Sequence, residues 1–237
     1  MTAFLIVQLG APLAAFGDVA GNVERKTLDR PTRSALLGLA GAALGVKRDD
    51  ADVNAALGAS LSTASRTLDP GRLLRDFHTY ESVLRARERY FTRADALARG
   101  TRNTSITRRD YRTGGLWLGA YALRNDASLA LAALREAFLK PAFTLYLGRK
   151  ACSLSLPLAP GIVDADDIAQ AFAAYASAGG LPEGGLIATD DGSLLPAAGN
   201  RLVQRSTVRD DPRDRRSWQF GARSEYLLGA DTQETGP

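Results

Sequence analysis

The sequence predicts an α+β fold on three observations. A compact β-type run opens the chain, two apolar-faced helical segments bracket paired β-type segments, and the last third alternates short β-type stretches with Gly and Pro. At 237 residues, 45% hydrophobic and 24% charged, the chain is long enough for one large domain or two small ones of roughly 100 to 150 residues each. Disordered, collagenous and disulfide-scaffold classes are excluded by the same figures.

Each element follows from its local pattern. Phe4 to Leu9 is an apolar run bounded by Gly10 and Pro12 and reads as a central strand. A polar loop, Asp18 to Arg30, leads to Pro31-Thr32-Arg33-Ser34, which introduces a helix over Ala35 to Val46. Thr32 or Ser34 caps it by accepting a backbone N–H bond. A second, shorter helix spans Ala51 to Leu61, and Ser62 to Phe77 forms two strands turning at Asp69-Pro70-Gly71. Gly115 to Leu123 is a strand carrying Trp117 and Tyr121, and Ser128 to Leu139 is an amphipathic helix closed by Lys140-Pro141. Strand, helix, strands, helix, strand is the βαββαβ order of a ferredoxin-like core. In the last third, Asn200 to Val208 and Ser217 to Leu228 read as strands flanking a turn at Asp210-Asp211-Pro212, and Asp231 to Pro237 as a frayed end.

Charge separates one segment from the rest. The chain carries 30 Lys+Arg against 26 Asp+Glu, a net +4, and only Lys26, Lys47, Lys140 and Lys150 are lysines. Codon usage in a GC-rich genome accounts for arginine over lysine. It does not account for position: residues 85 to 112 hold arginines 85, 87, 89, 93, 99, 102, 108, 109 and 112 against Glu88, Asp95 and Asp110, so the remainder is slightly acidic. A solvated charged helix would pair opposite signs at i,i+4, for which three acids are too few. With Tyr90, Phe91 and Tyr111 interleaved, the stretch fits an anionic polymer, arginines on phosphates and aromatic planes on splayed bases.

Other chemistry is sparse. One cysteine, Cys152, excludes an internal disulfide and cysteine metal clusters, and one histidine, His78, excludes a His-rich metal site. No metal or cofactor is expected. The opening residues lack a basic n-region, and the apolar stretch Ala35 to Val46 is shorter than the ~20 residues that cross a membrane, so a cytoplasmic protein without a membrane partner is expected. Gly38, Gly41 and Gly45 form neither a dinucleotide fingerprint nor a P-loop, and instead let the helix approach a neighbour closely. Arg33, beside capping hydroxyls at a helix start, is a candidate phosphate ligand. Tyr146 to Cys152 repeats the basic-aromatic theme with Arg149 and Lys150, and Arg213, Arg215, Arg216 and Arg223 around Trp218 and Phe220 form a third cluster, diluted by Asp210, Asp211 and Asp214. His78, with Tyr80 nearby, is a candidate general base for RNA cleavage, although a histidine packed at a strand end is the commoner situation.

Taken in order, FLIVQLGAPLAAFG, PTRSALLGLAGAALGVKRDD, LLRDFHT, SITRRDY and LKPAFTLYLGRKACSLSLPL resemble the CasD-type subunits of the type I-E CRISPR surveillance complex Cascade, members of the Cas-five family. The helix-one and YLGRKACSLSLPL blocks are the specific ones. The resemblance implies a ferredoxin-like (RRM-like) core over 1–78 and 113–160, a basic thumb inserted at 79–112, and an irregular β-rich extension over 161–237. It implies a non-catalytic subunit that holds the 5′ handle of the CRISPR RNA, meets the backbone and large subunits, and touches target DNA only through the complex. Carried over, Thr32, Arg33, Ser34, Arg102, Arg108, Arg109, Tyr146, Arg149 and Lys150 are the expected RNA contacts. Relatives in another subtype cut precursor RNA themselves, which leaves a metal-independent endoribonuclease using His78 as the alternative. A general interaction module whose arginines reflect codon usage is a third reading.

Overall fold

The structure, a computed structural model, describes residues 1–17, 23–83, 90–99, 102–125, 127–196, 202–217 and 219–229. The chain begins with β1 (Thr2–Ala14), followed by the short β2 (Phe16–Gly17), β3 (Glu24–Arg25) and β4 (Thr27–Leu28). Next come α1 (Arg33–Leu44), α2 (Ala51–Ser60), β5 (Leu61–Asp69), β6 (Arg72–Val83), α3 (Arg93–Arg99) and the long β7 (Arg102–Leu123). The remainder is α4 (Leu131–Leu139), β8 (Gly161–Ala165), α5 (Ile168–Ala178), β9 (Leu186–Thr189), β10 (Leu202–Asp214) and β11 (Gln219–Leu228). The main sheet runs β10-β11-β9-β5-β7-β1-β8, and every neighbouring pair on that path is antiparallel.

The opening run FLIV is continuously apolar because both faces of β1 are covered. Leu5, Val7 and Leu9 pack with α1 and α4 on one side, while Phe4 and Ile6 pack with Ile168, Ala171 and Phe172 of α5 on the other. β1 continues past Gly10 and Pro12, where the sequence suggested that it stops. Gln8 N–H donates to Leu158 O and Gly10 O accepts from Ser155 N–H. With a period of two, the Pro12 nitrogen therefore faces away from β7, and its missing proton costs the β1–β7 ladder nothing.

Two buried aromatic side chains tie the helix layer to the sheet. Trp117 lies edge-on to Phe16 at 4.9 Å and donates its indole N–H to Asp29 O at 2.8 Å. Tyr121 donates its hydroxyl to Leu36 O at 2.9 Å, anchoring α1. Each satisfies its polar tip while burying an apolar body, as a buried Trp or Tyr must.

β7, at 22 residues, is more than twice the length expected. Its C-terminal half is the core strand, paired with β1 and β5. Its N-terminal half pairs with β6 from Arg72↔Thr113 to Val83↔Arg102, forming an arm that the short β3 joins in parallel at Arg108 and Arg109, with α3 between β6 and β7 in sequence. The turn at 69–71 falls where expected. The described part of the basic stretch is thus this arm with α3, while Arg85, Arg87, Arg89 and Glu88 lie outside the described residues.

The last third differs from expectation in two places. A helix, α5, occupies Ile168–Ala178, begun by Asp167, whose carboxylate accepts from Gln170 N–H at 2.9 Å and from its side-chain amide at 2.8 Å. Asp210-Asp211-Pro212 is not a turn but lies within β10, where the register with β11 shifts between Val208 and Asp211; the strands reverse near 215–217 instead. A bulge turns carboxylates inward there, which sequence alone reads as turn chemistry. β8 pairs with β1 over Thr2↔Ala165 to Ile6↔Gly161 and so lies on the side of β1 opposite β7.

Candidate nucleic-acid interface

α1 starts at Arg33 because Thr32, in extended backbone, accepts from Ala35 N–H with its Oγ1 at 3.2 Å; Ser34 Oγ lies 3.0 Å from the same hydroxyl. The helix ends at Gly45, whose left-handed φ of 78° closes it. One face of α1, with Ser34, Ala35, Gly38 and Ala42, floors a groove of about 340 Å³.

One wall comes from the chain after α4. Leu147 N–H donates to Cys152 O at 2.8 Å, and Cys152 N–H to Arg149 O at 2.8 Å, closing a tight turn. That turn presses on the end of β1: Gly148 has φ 88°, and a Cβ there would stand 1.7 Å from Ala15 O. Tyr146 and Arg149 are thereby aimed into the groove. The Arg149 guanidinium stacks over the Tyr111 ring at 4.5 Å and donates to the carbonyls of Asp110 and Arg25, both at 3.1 Å. Arg25 and Lys26 line the same wall.

The opposite wall is the β10–β11 turn, which contributes Arg215 and Phe220. Arg215 Nη2 donates to Ser34 O at 3.2 Å, its guanidinium lying over Gly38. Burial lowers the Arg215 guanidinium from its ordinary proton affinity. A partly dehydrated cation gains more from an incoming anion than one in bulk water. Among the described residues lining the groove are Arg25, Lys26, Arg149 and Arg215, the aromatics Tyr146 and Phe220, and no carboxylate. Such a site takes an anionic ligand with planar groups.

Of the residues expected from sequence, Thr32, Ser34, Tyr146 and Arg149 converge here. Lys150 is exposed on the same turn but is not a lining residue. Arg33 points the other way, only 5% exposed. Its guanidinium donates to Gly58 O (2.6 Å), Leu61 O (2.9 Å), Asp211 Oδ1 (3.0 Å) and Asp190, while its backbone N–H reaches Asp210 Oδ2 at 2.9 Å. The expected phosphate ligand is thus occupied by protein oxygens in the interior. Arg102, Arg108 and Arg109 lie on the arm. Arg102 donates to Leu97 O, Arg108 pairs with Glu24 at 3.0 Å, and Arg109 Nε is buried without a hydrogen-bond partner among the described residues. His78, also on the arm, pairs with Asp76 and sits opposite Thr107.

Sequence reasoning missed Arg25 and Lys26, which lay in an apparent loop, and underrated Arg215 and Phe220 because three nearby aspartates diluted the cluster. Those aspartates are spoken for. Asp210 takes a bidentate pair from Arg223, Asp211 takes Arg33, and Asp214 accepts from Ser217 and from Arg216 N–H. Trp218 lies outside the described residues. Cys152 is fully buried, which raises its thiol above the ordinary value despite Arg149 nearby, consistent with a structural thiol.

Comparison with known proteins gives a consistent result. The profile of the family described as CRISPR-associated protein (Cas_Cas5) matches residues 4–225. The CRISPR system Cascade subunit CasD of Escherichia coli (strain K12) is 36% identical over 238 residues, covering 96% of this chain and 96% of that protein. Among solved structures, a chain of a CRISPR RNA-guided surveillance complex superposes with a TM-score of 0.63 at 22% identity, covering 96% of this chain and 90% of that one. A crystal structure of a Cas protein gives 0.61 at 24% identity, covering 95% of each chain. At those identities the structural likeness is one of fold.

Proposed function

The chain belongs to the CRISPR-associated protein (Cas_Cas5) family, and from that membership we propose that it is a non-catalytic, RNA-binding subunit of a Cascade-type surveillance complex. The observation that carries the RNA-binding part is the groove on α1, with four cations, two aromatics and no carboxylate among its described lining residues. Its ligand is the 5′ handle of the CRISPR RNA. Handle phosphates meet Arg25, Lys26, Arg149 and Arg215, and unpaired bases stack on Tyr146 and Phe220. The strand order β5-β7-β1-β8, all antiparallel, supports reading β1, α1, β5, β7, α4 and β8 as a ferredoxin-like (RRM-like) core. The β6–β7 arm is then the thumb, and β9 to β11 the extension. Backbone and large subunits are the protein partners, and target DNA is met only through the assembly. Its place of work in this reading is the cytoplasm; among the described residues no helix is long and apolar enough to cross a membrane.

The test is binding of the purified chain to handle RNA and to a scrambled RNA over a range of salt. Preference for the handle, reduced in Tyr146→Ala, supports the reading; equal binding of both RNAs would favour a general interaction module. Incubation with repeat RNA in the absence of metal separates the alternative. Intact RNA is expected, and specific cleavage abolished by His78→Ala would establish an endoribonuclease instead.

A further inference from the structure

We propose that Arg48 is a positioning residue that holds the β10–β11 turn in place and so builds the second wall of the groove. The inference rests on reading the groove as a nucleic-acid site. β10 is the terminal strand of the sheet and pairs only with β11 among the described strands, and β11 reaches β9 only through Tyr226, Leu227 and Leu228. The distal part of this hairpin therefore overhangs the sheet as two strands alone, an arrangement that is marginal without further support. Side chains supply that support. Partway along the hairpin Arg33 holds Asp210 and Asp211. At its tip Arg48, from the loop after α1, donates Nε to Arg215 O at 2.7 Å and Nη2 to Arg216 O at 2.9 Å. The first of those carbonyls belongs to the residue whose guanidinium lies across α1, and the second to its neighbour. The planar fork of arginine reaches both at once, which an ammonium cannot reproduce.

Arg48 is exposed, so its replacement leaves the core untouched. In Arg48→Ala without RNA, amide hydrogen exchange across 209–217 accelerates while the melting midpoint holds. Handle RNA binds about tenfold more weakly, the factor equivalent to about 1.4 kcal/mol. Arg48→Lys behaves like Arg48→Ala, and either change costs less in an Arg215→Ala background than alone, because the main contact being positioned is already gone. Full rescue by lysine, or losses that add to those of Arg215→Ala, would identify Arg48 as a direct phosphate contact and overturn the proposal. Unchanged exchange in the RNA-free protein would overturn it independently. If the unsubstituted chain fails to bind handle RNA, the reading of the groove fails, while the exchange experiment still decides whether Arg48 holds the turn.

Discussion

Gly38 sets how closely the Arg215 guanidinium approaches α1, and two substitutions there should move stability and binding in opposite directions. A Cβ at this position would stand 3.2 Å from Arg215 Nη2 and 3.4 Å from Nη1. The neighbour is the tip of a flexible side chain, so Gly38→Ala asks only for a small displacement. Meanwhile it removes a glycine from a helix interior, which stabilises by about 0.8–1.0 kcal/mol. In a chain of this size the melting midpoint should rise by about 2–4 °C. Gly38→Leu is different in kind. Its side chain occupies the space beneath the guanidinium, separates Arg215 from Ser34 O and fills part of the 340 Å³ groove. Losing one cationic contact of about 1.5–3 kcal/mol predicts handle binding weaker by roughly tenfold or more. The slope of log K against log salt should become shallower by about 0.7, one phosphate of a single strand. Fluorescence anisotropy of labelled handle RNA at several salt concentrations, with thermal melts of the same samples, reads both quantities. Gly38→Leu binding with unchanged affinity and slope would refute the placement of RNA over α1.

Two further outcomes follow from the fold. Gly148→Ala sets a methyl group 1.7 Å from Ala15 O in a left-handed conformation that by itself costs about 1–2 kcal/mol, so the turn must break from β1. The melting midpoint should fall by at least about 4 °C with handle binding lost alongside, and a midpoint equal to that of the unsubstituted chain would show the turn to be placed wrongly. On the acid side, the Arg75 guanidinium holds the Asp110 carboxyl below the ordinary range; burial of Asp191 opposes the same shift but is outweighed by hydrogen bonds from Ser193 and Ser62. Folded values below the unfolded value of about 3.9 give stability that is complete above it and lost as the pH falls through the lower, folded values. Unfolding midpoints should therefore drop between about pH 5 and pH 3, less steeply in Arg75→Gln, and a flat profile would contradict those pairings.

Much of the scaffold was legible because periodicity and capping are local. FLIV announced a central strand, although not its continuation to Ala14, while PTRSA announced a helix with its cap and Asp69-Pro70-Gly71 a turn, these two within a residue or two. Asp167-x-x-Gln170 was an equally local signal for α5 that the surrounding glycines and prolines masked. What sequence could not reveal was the sorting of like residues. Arg33, beside capping hydroxyls, and Arg149, between Gly148 and Lys150, both suggest phosphate binding, yet one is enclosed by carboxylates and carbonyls and the other stacks on Tyr111 beside the groove. The three glycines of helix one likewise do different work: Gly38 admits a guanidinium, Gly41 meets Leu57 at ordinary contact distance, and Gly45 ends the helix.

That sorting changes what the arginine excess means. Arg30, Arg33, Arg124, Arg213 and Arg223 pair with Asp29, Asp190, Asp210, Asp211 and Glu225, five cations with five carboxylates around the start of α1. A network like this is weak evidence for stability, since dehydrating its buried members offsets most of their attraction and its exposed members gain little. Its geometry has a clearer consequence. It pins the β10–β11 hairpin to the helix partway along its length, and it collects nearby carboxylates on the side of α1 turned away from the groove. Because the network is neutral, it does not cancel the field of Arg25, Lys26, Arg149 and Arg215 on the other side. A chain of net charge only +4 can therefore present a strongly positive groove, and it does so by segregating its charges across one helix.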